Sequence, residues 1–421
     1  MKTDVLIVGA GASGLMAARE FGRAGKRVTL LEARERIGGR MFPLPVERFG
    51  YAAEGGAEFV HGNAPNIHAL AKEAQLSFIG AGEWWSVRDG EPRQGFQPSP
   101  HDALLKEKLM TLSEDISVQT FLDQHFSDEA YKDMRENVVR RIEGYEAGEA
   151  SRASSFAMRD EMNDESAWKQ SRLKDGYSAL VHFLEREVRE AGAELLLEKE
   201  VVAIDATGAD VIAHCADGST YSAQKVLVSV PLPLIARIDF TPALPEKVRA
   251  VGEMGFGAVI KLLLHFQDRW WVEARQQQFE KLFFMFSREA IPTWWTQYPN
   301  LTPTLTGWLA GPRAALFADT TDAELLDIGL TSLSNIFQVE KIKLAEQLVT
   351  SQVVNWPADP YARGAYSYAT PESSVAREKI VKPVHDKIFF CGEALYSKEY
   401  GTVEAALGSG LEIATQMLSL A

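Results

Sequence analysis

Residues 3–40, TDVLIVGAGASGLMAAREFGRAGKRVTLLEARERIGGR, decide the fold. The apolar run at 5–8 predicts a buried parallel strand, since a strand covered on both faces needs no polar alternation. It enters Gly9-Ala10-Gly11-Ala12-Ser13-Gly14, and a helical pattern follows from 15 to about 24. Gly25 breaks the helix, residues 27–31 form a second buried strand, and Glu32 stands at its end. A GxGxxG in this strand–helix–strand setting is a dinucleotide-binding fingerprint. Gly9 permits the tight turn, Gly11 lets the backbone approach a pyrophosphate, and Gly14 lets helix and strand pack closely. The helix start offers N–H groups to the anion. Glu32, 21 residues beyond Gly11, is placed to accept hydrogen bonds from a ribose diol.

The fingerprint alone does not choose between NAD and FAD, but its continuation does. RERIGGR at 34–40 resembles the second signature of FAD proteins of the two-dinucleotide-domain type. There the paired glycines bring backbone against the cofactor, and arginines meet the diphosphate as planar charge-assisted donors.

At 421 residues the chain is long for one ordinary domain and suggests two, interleaved. Apolar residues make up 46% and charged ones 24%, a globular composition. With 44 basic and 58 acidic residues the net charge is −14, which disfavours nucleic acid and anionic membranes and suits a cationic substrate. Two cysteines, Cys215 and Cys391, make no disulfide framework and point to a reducing compartment. The first strand begins at residue 3 and no run of about 18 apolar residues occurs, so a cytoplasmic protein with neither signal peptide nor membrane span is expected. A homodimer is left open.

Further along, EGGAEFVHG at 54–62 clusters small residues that let backbone lie flat against a planar ring. His61 closes that stretch. Residues 80–178 carry charge-rich amphipathic patterns (103–112, 118–125, 129–145) without parallel-strand signals, which predicts a helical insertion. Strand signals return at 195–197, 201–205, 209–215 and 225–230, with a hairpin turn at Asp217-Gly218-Ser219. GFGAVIKLLLHF at 255–266 is an apolar strand with one charge, Lys261; it either has a task or snorkels from a sheet edge. The aromatic residues around it (Trp270, Trp271, Phe283, Phe284, Phe286, Trp294, Trp295, Trp308) predict an antiparallel sheet core, with a minority lining a cavity. Helices are expected at 321–337 and 340–348, on the surface, and at 402–418, after a last buried strand at 387–391.

With these pieces in order, the chain resembles the flavin-containing amine oxidases: monoamine oxidases, polyamine oxidases and lysine-specific histone demethylases. The resemblance rests on 8–14 with 32–40, 54–62, 257–261, 355–366 and 390–410. It implies an α/β two-dinucleotide-domain flavoprotein: a discontinuous Rossmann-like FAD domain (1–80, 192–240, 385–421) and an interleaved substrate domain of antiparallel sheet and helices (81–191, 241–384). It implies FAD contacts at Gly9, Gly11, Ser13, Gly14, Glu32, Arg34, Gly39, Arg40, Gly56, Ala57, Glu58, Phe59, Val201, Trp356, Gly392, Glu393, Thr402 and Val403. The implied catalytic set is Lys261, holding a water against flavin N5, Tyr366 as one wall of an aromatic cage, Thr402 in place of the second wall, His61, and Trp356 beside the flavin. No metal is implied.

Ala365 stands where monoamine oxidases attach flavin through cysteine, so the FAD should be non-covalent. Thr402-Val403 looks more like the animal polyamine oxidases and the histone demethylases, and His61 resembles a histidine of the animal polyamine oxidases. The implied reaction is hydride transfer from an amine to flavin N5, hydrolysis of the iminium to an aldehyde and a smaller amine, and reoxidation by O2 to hydrogen peroxide. Rival readings are an aromatic monoamine oxidase, with Trp84, Trp85, Trp294 and Trp295 lining an apolar pocket; an L-amino-acid oxidase using Arg363; a desaturase or porphyrinogen oxidase, which lacks Lys261 and Tyr366; and a flavoprotein that only binds.

Overall fold

The computed structural model describes residues 3–88, 90–95, 99–166, 169–276 and 279–420. In the strand Thr3–Val8, Val5 and Ile7 face one core and Leu6 and Val8 the other, which is why the run is apolar throughout. It pairs in parallel with Val28–Leu31 on one side and with Thr220–Val228 on the other. The sheet continues through Glu194–Leu196 at one end and Val211–Cys215, Val201–Asp205 and Asp239–Thr241 at the other; Ile388–Phe390 also pairs with Thr220–Val228. The helices Ala12–Arg23, Gly176–Glu190 and Val403–Ser419 cover the Val5/Ile7 face. Helix Gly176–Glu190 thus packs on the nucleotide side although it falls within 81–191. The hairpin at Asp217 forms, with Ser219 N donating to the Asp217 carboxylate at 2.9 Å and Gly218 at φ +84°.

A second sheet runs Leu348–Asn355, Val259–Phe266, Thr304–Ala310, Thr293–Thr296, Leu282–Phe286, Glu83–Arg88, Glu91–Gln94. It is antiparallel except where Glu83–Arg88 lies parallel to Leu282–Phe286. This corrects the all-helical reading of 80–178, as does the strand Gln170–Leu173. The run EWWSVR is aromatic and β-branched, and tertiary pairing with a strand nearly 200 residues away overrides its charged surroundings. The rest of that segment is helical: Asp102–Met110, Val118–His125, Lys132–Gly144 and Ser155–Asn163 share a core of their own. Helix Asp322–Phe337 is amphipathic rather than simply exposed, burying Leu325, Leu333, Ile336 and Phe337 against this sheet. No described helix is long and apolar enough to cross a membrane. Cys215 and Cys391 are both free and buried.

Candidate active site

A cavity of about 1620 Å³ runs from the first βα turn to the second sheet. Every residue implied above as an FAD contact or a catalytic residue lines it except Gly14. At the turn, Gly9 has φ +103°, a conformation that favours glycine. A Cβ on Gly14 would lie 2.1 Å from the Gly9 carbonyl oxygen, so helix and strand meet there backbone to backbone. A Cβ on Gly11 would meet nothing within 4 Å and would project into open space. The helix starting at Ala12 has no side-chain cap, leaving its first N–H groups free toward the cavity. Glu32 is buried, its carboxylate accepting from Ala10 N at 2.8 Å and Arg34 N at 3.0 Å.

The arginines of RERIGGR are held by the protein itself. Arg34 grips Asp359 with both guanidinium nitrogens, at 2.9 and 2.6 Å. Arg36 donates to the Gly39 carbonyl and lies over the Phe42 ring. Arg40 donates to Glu393 at 2.8 Å and to the Ala365 carbonyl at 2.7 Å. Glu393, also buried, further accepts from Ser367 Oγ at 2.6 Å and Gly401 N at 2.9 Å. A Cβ on Gly56 would lie 1.9 Å from the Arg40 carbonyl oxygen and 3.2 Å from the Trp356 ring, so the flat segment packs directly on Trp356.

Lys261 is fully buried on an interior strand of its sheet, flanked by Thr304–Ala310 and Leu348–Asn355, which excludes the snorkelling edge position. Its ammonium donates to Glu58 Oε2 at 2.8 Å and to the Gly56 carbonyl at 3.1 Å, and lies over the Trp295 ring. Glu58 Oε1 accepts from Trp295 Nε1 at 3.0 Å and Gln297 Nε2 at 3.1 Å, and Arg172 Nε lies 3.1 Å away. Burial alone would push the Glu58 carboxyl up; Lys261 and Arg172 outweigh it and hold the group below the usual carboxylate range.

On the substrate side, Tyr366 donates through its hydroxyl to the Tyr145 carbonyl at 2.6 Å and stacks with Trp308, the rings 20° from parallel. His61 Nδ1 is 3.3 Å from the Tyr145 hydroxyl, and burial lowers its pKa to about 4, leaving it neutral near pH 7. Thr402 caps the last helix: its hydroxyl accepts from Ala405 N at 3.0 Å and donates to the Glu399 carbonyl at 2.6 Å. That hydroxyl is committed to the backbone, although the residue still borders the cavity beside Tyr400. Of the tryptophans expected to line a pocket, Trp84 and Trp295 do so, while Trp85 and Trp294 belong to the core. Phe284, Phe286 and Trp308 also line it, so half of the eight aromatic residues around Lys261's strand face the cavity, more than a minority.

Comparison with known proteins gives the family. The model of flavin containing amine oxidoreductases matches residues 12–80 and 83–418. The chain belongs to this family. It is 26% identical over 446 residues to the human lysine-specific histone demethylase 2, covering 98% of this chain and 53% of that protein. It is likewise 26% identical to the Arabidopsis thaliana protein named Probable polyamine oxidase 5, covering 99% of this chain and 98% of that one. The chain spans about half the length of the demethylases it matches first. Among solved structures, a putrescine oxidase with putrescine bound superposes with a TM-score of 0.82 at 21% identity, covering 100% of this chain and 99% of that one.

As a flavin-containing amine oxidoreductase the protein takes FAD, and its cavity fits that group. The glycine-lined turn, the uncapped helix start and Glu32 suit an extended dinucleotide, and the Gly56 segment over Trp356 suits a flat ring. Among the described residues no group of three or more His, Cys, Asp or Glu is placed to hold a metal. Sequence reasoning missed Arg172, Gln297 and Tyr145. Nothing local marks them: Arg172 sits in a four-residue strand, and its partners come from elsewhere in the chain.

Proposed function

We propose that the protein is an FAD-dependent oxidase of a polyamine or another secondary amine. The observation that carries the proposal is one continuous cavity joining the Gly9–Ser13 turn to Lys261 and Tyr366. When bound, FAD supplies the two-electron acceptor. Amine, water and dioxygen would become a carbonyl compound, a smaller amine and hydrogen peroxide. The chain's own share is orientation and electrostatics. The Tyr366 hydroxyl is taken by Tyr145, so its ring face is what it offers the amine, and it can steer the nitrogen lone pair. The Lys261 ammonium uses two of its three N–H groups on Gly56 and Glu58, leaving the third to hold a water at the cavity. His61, neutral, can accept from a substrate N–H without competing as a cation.

The polyamine assignment is supported by Thr402 leaving space where a second ring would stand. It is also supported by the likeness to polyamine and putrescine oxidases. Glu146 lines the cavity near Tyr366, and burial together with Glu161 pushes its pKa up to about 8, so it is an anion there only above that pH. A second reading, aromatic monoamine oxidation, is favoured by the Trp84, Trp295, Trp308, Phe284 and Phe286 walls. Anaerobic mixing with an extended polyamine tests the reaction class. Flavin absorbance should bleach, then recover with peroxide on admitting air; no bleaching with any amine would refute it.

A further inference from the structure

The cluster around Glu58 contains more charge than the reaction needs at the cavity. Lys261 and Glu58 both line the cavity, whereas Arg172 does not. Their side chains are 0%, 7% and 4% exposed. Arg172 enters from the strand Gln170–Leu173, its guanidinium 4.7 Å from the ring centres of both Phe59 and Phe283. It donates to the Thr296 carbonyl at 2.9 Å and approaches that of Tyr298 at 3.5 Å. Its Nε lies 3.1 Å from Glu58 Oε1 as an ion pair without an aligned hydrogen bond, while Trp295 and Gln297 donate to Oε1 and Lys261 donates to Oε2. A carboxylate accepting three donors on two oxygens, with a guanidinium against one of them, is fixed in rotation and place. Because one oxygen is held by Trp295 and Gln297 and paired with Arg172, the other can lie in only one place, and Lys261 follows it.

We propose that Arg172 is a positioning residue: acting through Glu58, it sets the place of the Lys261 ammonium and adds a second positive charge behind it, without lining the cavity. This rests on the reading that Lys261 stands beside the bound flavin. Two cations and one anion give the cluster a net charge of +1. Without Glu58, two buried cations would face each other with no anion between them. The other titratable groups facing the cluster are Glu54, pushed up to about 8 chiefly by burial, and Tyr51, pushed up by burial. Neither supplies a replacement anion at pH 7.

The test uses the FAD-loaded protein and reads the flavin's two-electron reduction potential together with its rate of reoxidation by dioxygen. Arg172→Met takes the cluster from +1 to 0, so reduced flavin, the more negative form, should be disfavoured by tenfold or more. That is a fall of about 30 mV for a two-electron couple. Arg172→Lys keeps the charge and should restore the potential. Glu58→Gln takes the cluster to +2 and should raise the potential by a similar amount. Should Glu58→Gln not fold, the two Arg172 variants decide the matter. Arg172→Met with native potential and native reoxidation rate, merely less heat-stable, would show the arginine to be a packing residue and overturn the proposal. If Lys261→Met itself leaves potential and reoxidation unchanged, the placement of Lys261 beside the flavin fails, and the proposal with it.

Discussion

Two glycines three residues apart give opposite expectations when each is replaced by alanine. At Gly14 the new methyl would sit 2.1 Å from the Gly9 carbonyl oxygen and 2.8 Å from Ser229 Oγ. The first of these is backbone and cannot swing away, so strand and helix must separate. Overpacking of this kind costs about 1–3 kcal/mol, against about 1 kcal/mol gained from replacing glycine within a helix. The net is a loss of up to about 2 kcal/mol, at most a few degrees of melting temperature in the apoprotein. At Gly11 the backbone is extended, with φ −77° and ψ −175°, a conformation open to any residue, and the methyl meets nothing. Apoprotein stability should therefore stay within about 0.5 kcal/mol. The methyl instead occupies the space where the pyrophosphate approaches, so FAD affinity should fall about tenfold or more, roughly 1.4 kcal/mol. Apoprotein melting by calorimetry and FAD titration by fluorescence quenching separate the two effects. If Gly11→Ala binds FAD as tightly as the native protein, the dinucleotide does not lie over this turn.

Three further outcomes are expected. Ala365 offers no thiol for a thioether, so acid precipitation should leave yellow FAD in the supernatant; colour in the pellet would contradict this. Lys261→Met should retain FAD but slow at least one half-reaction by about tenfold or more, about 1.4 kcal/mol of barrier, with stopped-flow absorbance reporting each half. Glu146 is protonated below its raised pKa of about 8 and anionic above it. A quaternary ammonium inhibitor, whose own charge does not titrate, should consequently bind more tightly as pH rises through 8, and Glu146→Gln should flatten that dependence.

What the sequence made legible was local. The turn, helix and acid of the fingerprint are fixed by short-range sterics, so the expected strand, helix and Glu32 fall within a few residues of where they stand. Lys261 was visible because a charge inside GFGAVIKLLLHF breaks a local rule. Its partners were not. Glu58 is 203 residues from Lys261 and 237 from Trp295, and only the packing of both sheets around one cavity brings them together. The arginines at 34–40 show the same limit: their presence was readable, but Asp359 and Glu393 as partners depend on chain more than 300 residues away. Thr402 lines the cavity, while its commitment as a helix cap emerges only from the backbone around Glu399 and Ala405. Glu83–Arg88 was lost because strand pairing depends on a distant neighbour more than on intrinsic preference.

The central claim is the substrate class, and one ratio tests it most directly. Peroxide release measured under air gives kcat/KM for an extended polyamine and for benzylamine or phenethylamine on the same FAD-loaded preparation. The polyamine should be preferred, and His61→Ala should lower its turnover while leaving FAD content unchanged. Faster turnover of the aromatic monoamines, with polyamines inert, would assign the Trp84, Trp295 and Trp308 walls to a ring and contradict the polyamine assignment.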